Sequence, residues 1–472
     1  MISLRLAPWA LVGALGLLLA GCATPTRTEV SLGELQTLSR DQFGAALREF
    51  NSEQAGEAIS RETARLLGQT LDVNSAVQIA LLNNRSLQAG LAELGLSQAQ
   101  RLQASRWSNP GISLSQSPQG TEISSEVGLH VNAAQWLMRP VLEDMANHQH
   151  AQARHALAMQ IVQLGADTRK AFHAAVGARE TSHYMAQVMR AAQASAELAR
   201  RMAQAGNFSR LQQAREQGFY AEAAQGLARA KRQEAASRER LIRLLGLWGE
   251  QAHGLPLPDR LAELPATPRD QPGIEQTAMT QRLDLQAARL HSEQVAKNLG
   301  LVKSSRFINV LELGLSQAAS PDAPRERSWE IRWEIPLFDS GSARVAQAEA
   351  IYRQSLHRAA AAAVNARSEV REAYLNYRHA WDMARHQRDE ILPLARRVSE
   401  ENLLRYNGML IGVFELLADA RAQIASVSRY IAALEDFWVA QADLDLAMHG
   451  KPGLAPALEP RADVSGAGGQ GH

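Results

Sequence analysis

Trp329-Glu330-Ile331-Arg332-Trp333-Glu334-Ile335 alternates apolar and charged residues without a fault. Successive side chains of a β-strand point to opposite faces, so the stretch predicts a strand. Trp329, Ile331, Trp333, Ile335 and Leu337 then share one face, and Glu330, Arg332 and Glu334 share the other. Only about three further stretches resemble it: Ile112–Ser117, Ile123–Val131 and Leu311–Ser316. A half-buried strand of a soluble sheet is the plainer interpretation, but two isolated hairpins of this length are marginal in water. Closed into a barrel with copies from other chains, they satisfy their edges and turn the apolar face to lipid. The expectation is therefore lipid-facing Trp329, Ile331, Trp333 and Ile335, and lumen-facing Glu330, Arg332 and Glu334.

Around these stretches the chain reads as helix, and it reads twice. Leu87-Gln88-Ala89 returns as Leu285-Gln286-Ala287, and Leu114-Ser115-Gln116 as Leu315-Ser316-Gln317. Arg106-Trp107 matches Arg306-Phe307, and Val127, Leu129 and Val131 match Trp329, Ile331 and Trp333. Gly206 falls opposite Gly408. Such collinear self-similarity marks an internal repeat. Each half predicts a helix (74–105 and 275–304), two strands, a very long helix (139–204 and 341–405), a Gly-containing break, and another long helix (209–246 and 412–449). As one helix, 139–204 would run about 100 Å, too long for a compact globule. Leu157, Ile161, Leu164, Thr168, Ala171, Ala175 and Ala178 are spaced alternately four and three, as a coiled-coil seam requires. Pro393 should kink the second long helix, and the first has no matching proline. Pro256, Pro258, Pro265, Pro268 and Pro272 keep the joining segment from being helical.

Lys plus Arg number 50 and Asp plus Glu 49, a balance that speaks against a nucleic-acid binder driven by net charge. With 46% hydrophobic residues the chain is not a disordered one. Its one cysteine, Cys22, leaves no intrachain disulfide and no cysteine-based zinc cluster. Arg5, the apolar run Leu6 to Ala20 and Leu19-Ala20-Gly21-Cys22 read as an export signal whose end looks like a bacterial lipobox, with Cys22 the lipidated first residue after cleavage. The expected organisation is a signal peptide (1–21), an N-terminal periplasmic segment (22–70), a first repeat (71–246), a Pro-rich linker (247–273), a second repeat (274–450) and a flexible tail (451–472).

Together these features resemble the TolC-like outer-membrane efflux factors, in their lipoprotein branch. Ile335-Pro336-Leu337-Phe338-Asp339-Ser340-Gly341 is similar to that family's exit from the second hairpin. Arg405-Tyr406-Asn407-Gly408 with Phe414-Glu415-Leu416-Leu417-Ala418-Asp419-Ala420 is similar to its periplasmic helix–turn–helix tip. The resemblance implies a mainly α fold with a small β part. It implies a homotrimer whose long coiled-coil helices form a periplasmic α-barrel, each subunit adding two hairpins, four strands, to a 12-stranded outer-membrane β-barrel. It implies a passive exit duct for a tripartite efflux or type I-like export system, served by a periplasmic adaptor protein and an inner-membrane pump of RND type or similar. Outer-membrane lipid would surround it, with no nucleic acid and no cofactor. The competing expectation is a lipid-anchored structural or adhesive periplasmic coiled coil.

Nothing in the chain suggests catalysis: no nucleophile triad by spacing, and no Gly-rich phosphate loop between strand and helix. Glu415 and Asp419 lie four apart on one helix face just past the Gly408 break. The resemblance makes them candidates for an acidic ring at the closed periplasmic gate; as plain carboxylates they would sit in the first turns of a helix, where its dipole favours them. Met145, His148, His155 and Met159 share a stripe with Gln152, and thioether and imidazole suit copper or silver. Solvated or helix-packed side chains are the simpler expectation there.

Overall fold

The structure is a computed structural model that describes residues 32–119, 122–305, 311–319, 326–333, 338 and 340–452. Cys22, Glu334 and Ile335, the expected signal peptide and nearly all of the expected tail lie outside them. In chain order the elements are α1 (Gly33–Phe43), α2 (Glu53–Leu67), α3 (Val73–Asn83), α4 (Arg85–Ser105), β1 (Gly111–Gln119), β2 (Glu122–Val131), α5 (Ala133–Gln204) and α6 (Arg210–Leu245). The second repeat follows as α7 (Ile274–Gln281), α8 (Leu283–Ser305), β3 (Leu311–Ala319), β4 (Glu326–Trp333), α9 (Ser342–His386), a π-turn (Gln387–Ile391), α10 (Leu392–Asn407) and α11 (Val413–His449).

The expected opening helix of each repeat is in fact two. Asn84 separates α3 from α4 and Arg282 separates α7 from α8, both with extended ψ, 116° and 123°. The break obeys the duplication: 282 minus 84 is 198, as is 285 minus 87. Gln88 Nε2 donates to Leu82 O at 3.1 Å, and Gln286 Nε2 to Thr280 O at 3.1 Å. Asn84 Nδ2 donates to Leu244 O (3.0 Å) and Arg282 Nη1 to Ala447 O (3.3 Å). Each break residue thus satisfies a carbonyl in the last turn of its repeat's final helix, where helices leave such groups unpaired. Arg282 is fully buried, and Asp284 (2.8 Å) and Glu369 (2.7 Å) neutralise it. At Gly246, φ is +67° and a Cβ would stand 2.6 Å from Asn83 O, so this junction accepts only glycine.

The long-helix expectation holds with two changes. α5 runs 72 residues, about 110 Å, beginning before residue 139 and carrying Pro140 as its eighth residue. Its seam residues Leu157, Ile161, Leu164, Thr168, Ala171, Ala175 and Ala178 are all buried. The second long helix is interrupted where Pro393 was expected to act. Proline offers no N–H to Asp389 O, and the π-turn directly before it widens the backbone to accommodate the ring. The linker holds no α-helix. It is a strap whose Leu255, Leu257, Leu261 and Leu264 are buried in the main core, with Trp381 Nε1 and Trp438 Nε1 donating to its Pro265 and Ala262 carbonyls.

The four strands form one antiparallel meander in the order β1-β2-β3-β4. Its register repeats the duplication. Leu114 pairs with Val127 as Leu315 pairs with Trp329, and Ile112 with Leu129 as Leu313 with Ile331.

Candidate functional site

The sheet has two unlike faces. Ile112, Leu129, Leu315 and Trp329 form a row across all four strands, and Val131, Leu313 and Ile331 a second row beside it. These side chains are not core: Ile112 is 72% exposed and Trp329 73%, and on the same face Leu114, 77% exposed, opens a third row with Val127, Gln317 and Arg327, where the face turns polar. The opposite face carries Ser113, Gly128, Ser316 and Ser328 in one row and Gly111, His130, Gly314 and Glu330 in the next. Glu330 and Arg332 share this polar face as expected and pair at 3.0 Å. Trp333 continues the apolar alternation in register with Leu311. β1 and β4 are the open edges of the sheet. Where β1 and β2 leave the helices, Trp107 and Trp136 meet edge to face at 5.6 Å, and Arg139 lies 4.6 Å over the Trp107 ring.

The helical tips stand at the far end of α5 and α6 in the first repeat and of α10 and α11 in the second. Their turns are superposable by hydrogen bonds. Ala205, Gly206 and Asn207 donate to Arg201, Ala203 and Met202; Gly408, Met409 and Leu410 donate to Leu404, Tyr406 and Arg405. Gly206 is therefore matched by Met409, not by Gly408 as the sequence alignment had it. Both have positive φ, +77° and +58°, while Gly408 has an ordinary helical φ.

That correction changes the tip acids. Glu415 is exposed in the first turn of α11, opposite Gln212, which closes a capping box with Ser209. Asp419 is opposite Glu216. Asp419 accepts a hydrogen bond from Asn402 Nδ2 on α10, and Glu216, buried, accepts one from Ser195 Oγ on α5 at 2.8 Å. In both repeats an acid clasps the tip hairpin to itself. Sequence reading missed Glu216 because the one-residue offset at the turn hid its relation to Asp419. The clasps separate the paired candidates, since Asp419 is engaged within its own hairpin and Glu415 projects outward.

The Met-His stripe of α5 reaches α8 through His148 and Gln152. His148 Nε2 accepts from Lys297 Nζ at 2.9 Å, and Gln152 Nε2 donates to His291 Nδ1 at 3.1 Å. Burial, then Arg154, lowers the pKa of His155. Met145 and Met159 are half-buried beside them, and among the described residues no three His, Cys, Asp or Glu side chains converge as metal ligands.

No protein-family model matches the chain, and no curated protein matches it in sequence. Solved structures do match. The outer-membrane channel CmeC of Campylobacter jejuni superposes with a TM-score of 0.68 at 14% identity, over 80% of this chain and 85% of that one. CusC, described as undergoing conformational changes that accompany transmembrane channel formation, gives 0.67 at 17% identity, over 80% and 92%. The open-state MtrE outer-membrane channel of Neisseria gonorrhoeae gives 0.66 at 17% identity, over 80% and 89%. The fold is that of the TolC-like outer-membrane channels. Long helices, the small four-stranded sheet and the duplicated order all belong to it. No described helix is long and apolar enough to cross a membrane.

Proposed function

We propose that the protein is the outer-membrane exit duct of a tripartite export system, a homotrimer that passively conducts substrates delivered by an inner-membrane pump through a periplasmic adaptor. The observation that carries this is the two-faced sheet: an exposed apolar face, a polar face and two open edges in one four-stranded unit. A soluble strut has no use for such a face, whereas three sheets joined edge to edge would turn it to lipid and enclose the Ser, Glu and Arg face as a lumen. The dimensions suit it. β1 and β3 have nine residues each, roughly 30 Å of strand, which tilted by about 40° rises about 23 Å against an apolar band of ~25 Å. Association is also supported by the helices. Val364 and Leu375 on α9 and Leu394 on α10 are more than half exposed, and α10 has no buried residue.

Lipidation at Cys22 would add a second anchor, and three copies of Glu415 would set charge at the periplasmic mouth. The test is the washed outer-membrane fraction run on SDS gels with and without heating, after chemical cross-linking. A heat-sensitive species that cross-links to a trimer is expected, and it should persist in Cys22→Ser while fatty-acid labelling is lost. A monomer that washes out of the membrane when unlipidated would overturn the duct.

A further inference from the structure

Where the two repeats meet, α5 and α11 leave a cleft that neither the sheet nor the tips use. Arg169 and His173 on one face of α5 and Trp438 and Asp445 on one face of α11 line a cavity of about 400 Å³, with Phe43 from α1 and Arg269 from the linker completing it. That volume and a position between structural units are typical of small-ligand sites.

The charge in the cleft is unbalanced. Asp445 is the one acid among its lining residues, and both arginines rest on it. Arg169 Nη1 donates to Asp445 Oδ2 at 3.2 Å and Arg269 Nη1 to Oδ1 at 3.2 Å. Two guanidiniums against one carboxylate leave one positive charge uncompensated. Arg169 also donates to Gln42 O at 3.3 Å and lies 5.0 Å over the Phe43 ring. Each guanidinium has five N–H donors, so both retain capacity for a further acceptor. Burial holds the Arg169 pKa below its ordinary value; Asp445 opposes that shift and Arg269 adds to it. His173 stacks on Trp438, rings 5.2 Å apart and planes 13° from parallel, which makes a flat wall beside the arginines. The other polar side chains of the lining are the neutral amides Gln42, Asn74 and Gln441 and the imidazole of His449, whose Nδ1 donates to Asp445 O at 2.9 Å.

We propose that this cleft binds a small organic monoanion, its carboxylate held by Arg169 and Arg269 and its planar or short apolar body laid on the Trp438–His173 wall. One negative charge completes the balance. A phosphate dianion would overshoot it beside Asp445, and a neutral amide would leave the guanidiniums as they are.

The test is calorimetric titration of the full-length, detergent-purified protein at pH 8.5, where inorganic phosphate is the dianion, with benzoate, benzamide and inorganic phosphate. Saturable benzoate binding is expected, with benzamide and phosphate each ~10-fold or more weaker, since a bidentate charge-assisted contact distinguishes them. Arg269→Gln should weaken benzoate ~10-fold or more, and this arginine is half-exposed, so the variant is expected to fold. Ala442→Leu, a change in the buried wall that leaves both arginines in place, should block binding outright. Benzoate that does not saturate by ~20 mM, that binds no better than benzamide or phosphate, or that is indifferent to Arg269→Gln would overturn the site.

Discussion

His173 is buried against Trp438 in the repeat interface. Burial, with Arg169 adding to it, pushes its pKa down to about 4, against roughly 6.5 for an unfolded chain. The unfolded chain therefore binds a proton in this window that the folded one refuses. The stabilisation is complete above about pH 6.5 and is lost as pH falls toward 4. From pH 7 to 5 this group alone should remove roughly 2 kcal/mol. His173→Phe keeps a ring on Trp438 without the titration, so its apparent melting temperature should fall less over that range than the natural protein's. An equal fall in both would assign the pH dependence to other groups. At the second tip, Met409 is 94% exposed and holds φ +58°, a conformation that costs a side-chain-bearing residue roughly 1–2 kcal/mol. Met409→Gly should therefore stabilise the turn by about 1 kcal/mol, seen as several-fold slower hydrogen exchange at the Leu410 amide, which donates to Arg405 O. The tip acids should also behave differently from each other. Glu415→Gln should weaken cation preference in channel recordings with the tip intact, whereas Asp419→Ala should loosen the α10–α11 hairpin, detected as faster proteolysis at the tip. Identical effects of the two changes would mean that they act as one ring.

Among the elements, the strands carry the sharpest contrast. Ile331 and Glu330 are neighbours on opposite faces of β4, and both are exposed in the single chain. Ile331→Arg should impair assembly, at about 2–4 kcal/mol per copy near the bilayer midplane, while Glu330→Arg should leave heat-sensitive oligomers intact. Equal damage from both would deny the strand a lipid–water boundary. These strands were legible because a period of two stands out against long helical periods, and the heptad seam of α5 was legible for the same reason. The helix breaks were not. Apolar residues run on from Ala76 through Leu82 to Leu87, Leu91 and Leu94, and neither Gly nor Pro stands between Ala76 and Leu87 to mark the junction of α3 and α4. Asn84 caps α4, its side chain accepting from the Leu87 N–H. Arg282 is fixed by Glu369 and Ala447, which are far away in sequence. Pro393 was legible as an interruption, but the form it takes, a π-turn whose Arg388 donates to Leu264 O of the linker at 3.2 Å, was not.

At the scale of the molecule, duplication explains more than any motif. The same break, the same sheet register and the same acid clasp recur in both repeats, and the two halves then diverge at the π-turn and at Met409. The duplication could be read from short echoes such as Leu87-Gln88-Ala89 and Leu285-Gln286-Ala287, and so could most of its offset, from 198 there to 202 at Val127 and Trp329. The last step, to 203 at the tips where 409 stands against 206, is located by the hydrogen bonds of the two turns. The alternation that divides the two faces of the sheet was legible; the hydrogen bond of Asp419 was not, since its partner Asn402 lies across the turn. The central claim is that these chains assemble into an open-ended conduit across the outer membrane. Reconstitution of the purified full-length protein into planar lipid bilayers tests it most directly. Discrete, equal conductance steps from a trimeric preparation, abolished by Ile331→Arg, are the predicted result. A protein that binds the bilayer through its lipid yet passes no current would contradict the account.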